Sequence, residues 1–179
     1  MIGNDIIDLN YASLKSNTSR KGWLEKLFTE KEIAIINNSI NRDQTIWLLW
    51  SQKEAVYKAH QRRFQFEPIF NPQAYIVNDN TVSIDSYKYI TESSINDDYI
   101  HTIAYQKNVL QKDKIRVFLN IKEFNFLDQI ALKHTYSRDE LSILKNKLGI
   151  PDICLKNKPL PFCYSSSHHG DYNASVLLY

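Results

Sequence analysis

The chain opens on Ile2-Gly3-Asn4-Asp5-Ile6-Ile7-Asp8-Leu9, an apolar, β-branched run with two acids inside it, and this pattern predicts a strand at the very start. Helical patterning follows. Thr29 stands three residues before Glu32, the spacing of a capping box, which predicts a helix over Glu32–Asn37. From Arg42 to about Arg62 the large residues Trp47, Trp50, Val56 and Tyr57 recur with no Gly or Pro between them, predicting the longest helix; Pro68 and Pro72 close that region. The middle of the chain alternates instead. Ala74–Val77 and Val82–Ile90 flank a hairpin turn at Asn78-Asp79-Asn80, and Tyr99–Gln106 and Ile115–Ile121 read as further strands. Ser137 and Glu140 repeat the capping-box spacing and predict a helix over Arg138–Leu148, stopped by Gly149. Asn157-Lys158-Pro159 reads as a turn and Ala174–Tyr179 as a last strand. This order of elements implies an α+β domain, built of two similar halves.

Composition narrows the function. At 179 residues the chain fits one domain able to bury a core without staples, and 43% hydrophobic with 23% charged residues is ordinary globular usage. A net charge of +2 gives no support for nucleic-acid binding. Cys154 and Cys163 alone cannot frame a disulfide scaffold or a four-thiolate zinc site. No basic segment leads into an apolar stretch at the N-terminus, and the longest apolar cluster, Ile46–Trp50, is too short to cross a bilayer. The expectation is a cytoplasmic protein with no signal peptide and no membrane partner.

The chemistry sits at a few positions. Of only four glycines, Gly3 lies two residues before Asp5 and Gly170 follows Ser165-Ser166-Ser167-His168-His169. Glycine beside short polar side chains can mark close approach of a phosphate, although Gly170 by itself reads as a turn glycine in a Ser-rich loop. Glu54 and Lys58, four apart on the long helix, share a face. Such a pair is ordinarily a solvated salt bridge, but Trp47 and Trp50 make this face bulky, and a carboxylate there wants a cation, a metal being one candidate. Asp5 and Glu54 suit a hard divalent ion such as magnesium, while Lys58, Lys158, His168 and the serine hydroxyls suit phosphate oxygens. That set fits phosphoryl chemistry on a phosphate-rich substrate. The sequence holds no Walker loop, G-x-G-x-x-G, G-x-S-x-G or HExxH.

At these residues the sequence resembles the 4′-phosphopantetheinyl transferase superfamily. GNDIIDL at 3–9, WSQKEAVYKA at 50–59 and SSSHHGDYNA at 165–174 are similar to its three signatures: G-x-D near a strand, W-x-x-K-E-[AS]-x-x-K on a helix, and S-x-S-H-x-G before a final strand. KNKP at 156–159 resembles the family's G-K-P turn, with Asn157 for the glycine, and FTEKE at 28–32 its acidic helix start. No one of these motifs is specific; their shared order, from residue 3 to residue 174, is. G-x-D first and S-x-S-H last is the order of the short, trimeric holo-acyl-carrier-protein synthases. The greater length, a strand-like Asp98–Gln106 and an opening-half pattern over Ile115–Tyr172 resemble the longer, monomeric surfactin-synthetase type. The resemblance therefore implies one catalytic domain over 1–179, a circularly permuted pseudo-dimer with antiparallel sheets and β-α-β halves of about 1–95 and 96–179. It implies a monomer, with a trimer carrying an inserted hairpin as the alternative.

It also implies an activity: transfer of 4′-phosphopantetheine from coenzyme A to a serine of an apo acyl or peptidyl carrier protein, releasing 3′,5′-ADP, in fatty acid or polyketide biosynthesis. Asp5 and Glu54 would hold Mg²⁺ at the pyrophosphate, Glu54 or a water on the metal would accept the serine proton, and Lys58 would steady the leaving phosphate. Ser165, Ser167 and His168 would bind phosphate oxygens, His168 the 3′-phosphate, and Lys158 would lie along the adenosine. Lys53 turns away from Glu54. Longer members carry a second carboxylate two residues after the strand aspartate, where this chain has Ile7, while Asp8 lies on the opposite strand face and reads as structural. Shorter members carry an arginine soon after this strand that meets acidic carriers; Asn10 and Tyr11 occupy that region here, and Lys15, Arg20 or Lys21 would substitute. A non-catalytic coenzyme A-binding protein on the same fold is the rival reading, and a plain α+β interaction domain a third.

Overall fold

The computed structural model describes residues 1–106, 114–120 and 123–179. Strand β1 (Ile2–Asp8) is buried along its whole length, as its apolar run requires. It pairs antiparallel with β5 (Tyr99–Tyr105), which pairs in turn with β4 (Tyr87–Ile95). Two hairpins then add β3 (Thr81–Ile84) and β2 (Ile76–Asn78), giving a five-stranded sheet in the order β1-β5-β4-β3-β2. The expected single strand over Val82–Ile90 is thus two strands. Asp85 takes a left-handed φ of 51° and turns the chain, so that Ile84 faces Tyr87. β5 lies in this first sheet although it falls beyond residue 95.

Four helices cover the sheet: α1 (Leu9–Lys15), α2 (Trp23–Leu27), α3 (Glu30–Asn38) and α4 (Arg42–Phe64). α3 opens on the expected capping box, with the Thr29 N–H donating to Glu32 Oε2 at 2.8 Å. Glu32 has a second task. Its Oε2 also accepts from Lys53 Nζ at 2.7 Å, and the fully buried Lys53 ammonium donates to the carbonyls of Leu27 and Pro72 as well. All three ammonium donors are therefore satisfied, which is what lets a charge sit in this core. α4 is buried against the sheet through Ile46, Leu49, Ala55, Val56 and Ala59. Among the described residues no helix is long and apolar enough to cross a membrane.

A second cluster forms around α5 (Glu123–His134). Phe126, Leu127, Ile130 and Ala131 pack on Phe118 of β6 (Ile115–Leu119), Tyr164 of β10 (Cys163–His169) and Leu177 of β11 (Tyr172–Leu178). These strands form a sheet in the order β10-β11-β6, beside a smaller one of β7 (Leu141–Lys145), β8 (Pro151–Leu155) and β9 (Lys158–Pro159). The fold is α+β with antiparallel pairing in every sheet. Ile121, the last residue expected in the 115–121 strand, lies outside the described residues.

The helix expected over Arg138–Leu148 is not formed. Only Arg138–Glu140 makes a 3₁₀ turn, and Ser137 makes no side-chain cap. Leu141–Lys145 pairs instead with β8, and Gly149, at φ 76°, turns the hairpin rather than ending a helix. The helix of this half lies upstream, where Phe126, Ile130 and their neighbours Leu127 and Ala131 recur four apart. The serines of 165–167 sit on strand β10 rather than in a loop, and Gly170 turns β10 into β11.

The two clusters are joined by an unusual seam. On the edge of β1 away from β5, the backbone N–H groups of Ile2, Asn4, Ile6 and Asp8 donate to side chains of β10. Their acceptors are Cys163 Sγ (3.3 Å), Ser165 Oγ (3.2 Å), Ser167 Oγ (3.2 Å) and His169 Nδ1 (3.0 Å), each 161 residues along the chain. A buried strand edge must have its donors met, and here polar side chains meet them in place of another backbone.

Candidate active site

The site is assembled by one glycine and this seam. A Cβ built on Gly3 would fall 2.1 Å from the Ala55 carbonyl oxygen and 2.6 Å from the Ala59 nitrogen. Only glycine lets α4 rest directly on the strand backbone. That contact brings Glu54 and Lys58 of α4 to Asp5 of β1, and the seam brings Ser167 of β10 from the other side. A cavity of about 470 Å³ opens between them, lined by Asp5, Glu54, Lys58, Ser165, Ser167 and His168 among others.

Asp5 is the hub. Its Oδ1 accepts from Ser167 Oγ at 2.9 Å and faces Lys58 Nζ at 3.3 Å, while the Ser167 hydroxyl also accepts the Ile6 N–H. Asp5 Oδ2 is buried without a hydrogen-bond partner. Burial and then the Asp5 carboxylate push Glu54 up to about 7, with Lys58 pulling the other way. Behind Asp5, His101 of β5 is pushed down to about 4 by burial, Asp5 opposing and Lys58 assisting, so it is a neutral imidazole. Two neighbouring carboxylates, one with an orphaned buried oxygen and the other held near neutrality, fit a hard divalent cation. The described residues contain no cluster of three or more His, Cys, Asp or Glu, so waters and substrate oxygens would complete such an ion's shell.

Six of the seven candidate residues line this cavity: Asp5, Glu54, Lys58, Ser165, Ser167 and His168. The seventh, Lys158, is exposed on β9 and is not among the lining residues. The reason lies in the turn. Lys156 and Asn157 take left-handed φ values of 51° and 63°, a tight hairpin that leaves Lys158 at the far edge of its small sheet. The turn on the cavity is the preceding one, Gly149-Ile150-Pro151, and Lys145, across the hairpin from Pro151, lines the cavity with it. The sequence signal for that turn was the glycine of G-x-P, with Ile150 in place of a lysine. Ser165 is 5% exposed and its hydroxyl is taken by the Asn4 N–H. Lys53 is turned away from the cavity, as its position on the helix predicts. Arg62, unassigned by any motif, holds the cavity wall by donating to Asp152 Oδ1 at 2.7 Å and to the Pro151 carbonyl.

Comparison with known proteins identifies the family. The family model of the 4′-phosphopantetheinyl transferase superfamily matches residues 1–104, from β1 into β5. A holo-[acyl-carrier-protein] synthase of Fusobacterium nucleatum subsp. nucleatum is 38% identical over 58 residues, 32% of this chain. The chain spans 46% of that curated relative, about half of its length. A crystal structure of Thermotoga maritima holo-[acyl-carrier-protein] synthase aligns with a TM-score of 0.43 at 14% identity, over 88% of this chain and 83% of that one.

Proposed function

The chain belongs to the 4′-phosphopantetheinyl transferase superfamily, and from that membership we propose that it transfers 4′-phosphopantetheine from coenzyme A to a serine of an apo carrier protein, releasing 3′,5′-ADP. The observation that carries the reading is the convergence on one cavity of Asp5, of Glu54 and Lys58 from the long helix, and of Ser167 and His168, with Ser167 lying 162 residues beyond the Asp5 that it touches. Fold and family membership support a transferase; the carrier, coenzyme A and the metal are part of the proposal.

The carrier serine attacks the phosphorus attached to pantetheine, a new P–O bond forms, and the bond to the 3′,5′-ADP oxygen breaks. Glu54, near neutrality, is matched to accept the serine proton as that bond forms. Lys58 lies one helical turn on and neutralises charge gathering on the leaving phosphate. Asp5 and Glu54 would hold Mg²⁺, which would supply charge neutralisation on the pyrophosphate. Ser167 fixes the Asp5 carboxylate, and His168, exposed at the cavity, reaches the 3′-phosphate of coenzyme A.

We further infer that one catalytic domain spans 1–179 and that a single chain builds the whole site, so the protein acts as a monomer. Intact mass spectrometry of an apo carrier incubated with the protein, coenzyme A and Mg²⁺ tests the proposal. Gain of one phosphopantetheinyl group is expected. No gain on any fatty-acid or polyketide carrier, with coenzyme A still bound, would instead identify a non-catalytic binding protein.

A further inference from the structure

Asp8 ends β1 three residues after Asp5 and has no part in the chemistry above. It is 5% exposed, and its polar groups grip three elements. Oδ1 accepts the Tyr11 N–H at 2.8 Å and so caps α1. Oδ2 accepts the Asp171 N–H at 3.0 Å, in the turn that joins β10 to β11. Its own N–H donates to His169 Nδ1 at 3.0 Å, the last stitch of the seam. Gly170 completes the joint: a Cβ there would stand 2.2 Å from Asp8 Oδ2 and 2.8 Å from Tyr11 Cβ, and its φ is 54°. The turn backbone therefore rests on the carboxylate itself. The Tyr11 ring closes the corner edge-on to His169, with centroids 5.2 Å apart. Burial opposes charge on Asp8, but the Tyr11 and Asp171 N–H groups and the nearby His169 outweigh it and hold the carboxyl below its usual range.

We propose that Asp8 is a positioning residue: it locks the His169-Gly170-Asp171 turn onto the end of β1 and thereby sets where Ser167 and His168 stand relative to Asp5. The transferase reading is needed only to say what binds there. His168 lies between Ser167, held by the Ile6 N–H and Asp5, and the 169–171 turn, which the Asp8 main chain holds through its N–H to His169 and the Asp8 carboxylate holds through the Asp171 N–H. Removal of the carboxylate leaves the turn held to β1 by the main-chain bond to His169 alone. Ligand must then order the turn before binding, a cost that falls on the ground state and the transition state alike.

The decisive variants are Asp8→Ser and Gly170→Ala. Serine keeps an oxygen to cap α1 but is too short to reach Asp171 as well. In Asp8→Ser the KM for coenzyme A should rise roughly tenfold, with kcat within about threefold of wild type and the KM for the carrier unmoved. Hydrogen exchange of the Asp171 amide, read without substrate, should accelerate while the thermal midpoint stays close to wild type. Gly170→Ala should give the same KM split. The two effects should not multiply in the double variant, because both substitutions disrupt the same joint between the turn and the end of β1. An unchanged KM for coenzyme A in Asp8→Ser, a loss confined to kcat, or multiplying effects would overturn the proposal. Should wild type transfer nothing, the function reading falls while the clamp is still decided: unaccelerated exchange at Asp171 in Asp8→Ser would overturn it.

Discussion

Glu54 is held near neutrality by burial and by Asp5, and this has consequences for both chemistry and stability. In the unfolded chain a glutamate titrates at about 4.5, whereas in the fold Glu54 titrates at about 7. The folded state therefore binds the proton more tightly, and the ionised carboxylate costs stability as pH rises from about 4.5 through about 7. In chelator, Glu54→Gln should melt higher than wild type at pH 8 and close to wild type at pH 4. A midpoint difference that does not vary with pH would mean that Glu54 titrates as a free side chain. For transfer itself, Asp5→Ala should cut turnover by on the order of 100-fold while leaving the protein folded. Near-normal turnover at limiting Mg²⁺ would remove Asp5 from the metal site. His168→Ala should act differently, raising the KM for coenzyme A with kcat little changed and weakening discrimination against dephospho-coenzyme A. Equal discrimination by wild type and variant would show that His168 does not read the 3′-phosphate.

At the scale of elements, what the sequence revealed depended on how local the determining contacts are. α4 was legible because its side chains recur at helical spacing without a breaker, and the Thr29–Glu32 box because both of its bonds close within one turn. The Ser137–Glu140 spacing is just as local, yet pairing of Leu141–Lys145 with β8 overrides it. α5 falls in the stretch between Ile121 and Ser137, to which the sequence patterning assigns no element, although Phe126 and Ile130 stand four apart. Most of the site was legible through its motifs. Lys145 and the Gly149-Ile150-Pro151 turn were not, since KNKP drew attention to a hairpin that leaves Lys158 away from the cavity. Gly3 shows how tightly two elements are coupled. Gly3→Ala should force β1 and α4 apart, destabilising the fold by about 3 kcal/mol and reducing transfer by more than the loss of folded protein explains. Denaturant titration beside an assay corrected for folded fraction checks this, and wild-type stability would show that the strand and helix can yield.

For the whole molecule, the seam is the feature that no local reading reaches. Its four bonds join residues 161 apart, and alternate side chains of β10 satisfy the edge of β1. The polar character of Ser165 is explained by this as much as by ligand, because a buried edge donor left unmet is costly. The seam also sets Ser167 and His168 beside Asp5 and Glu54 within one chain, as the proposed monomer requires. The most direct test is the mass of an apo carrier after incubation with Mg²⁺, coenzyme A held well below the KM of His168→Ala, and an equimolar mixture of Glu54→Ala and His168→Ala chains, beside wild type. Wild type should add one phosphopantetheinyl group, and the mixture should do no better than the sum of its two components. Recovery of transfer on mixing would contradict the account, because intact sites would then be forming between chains.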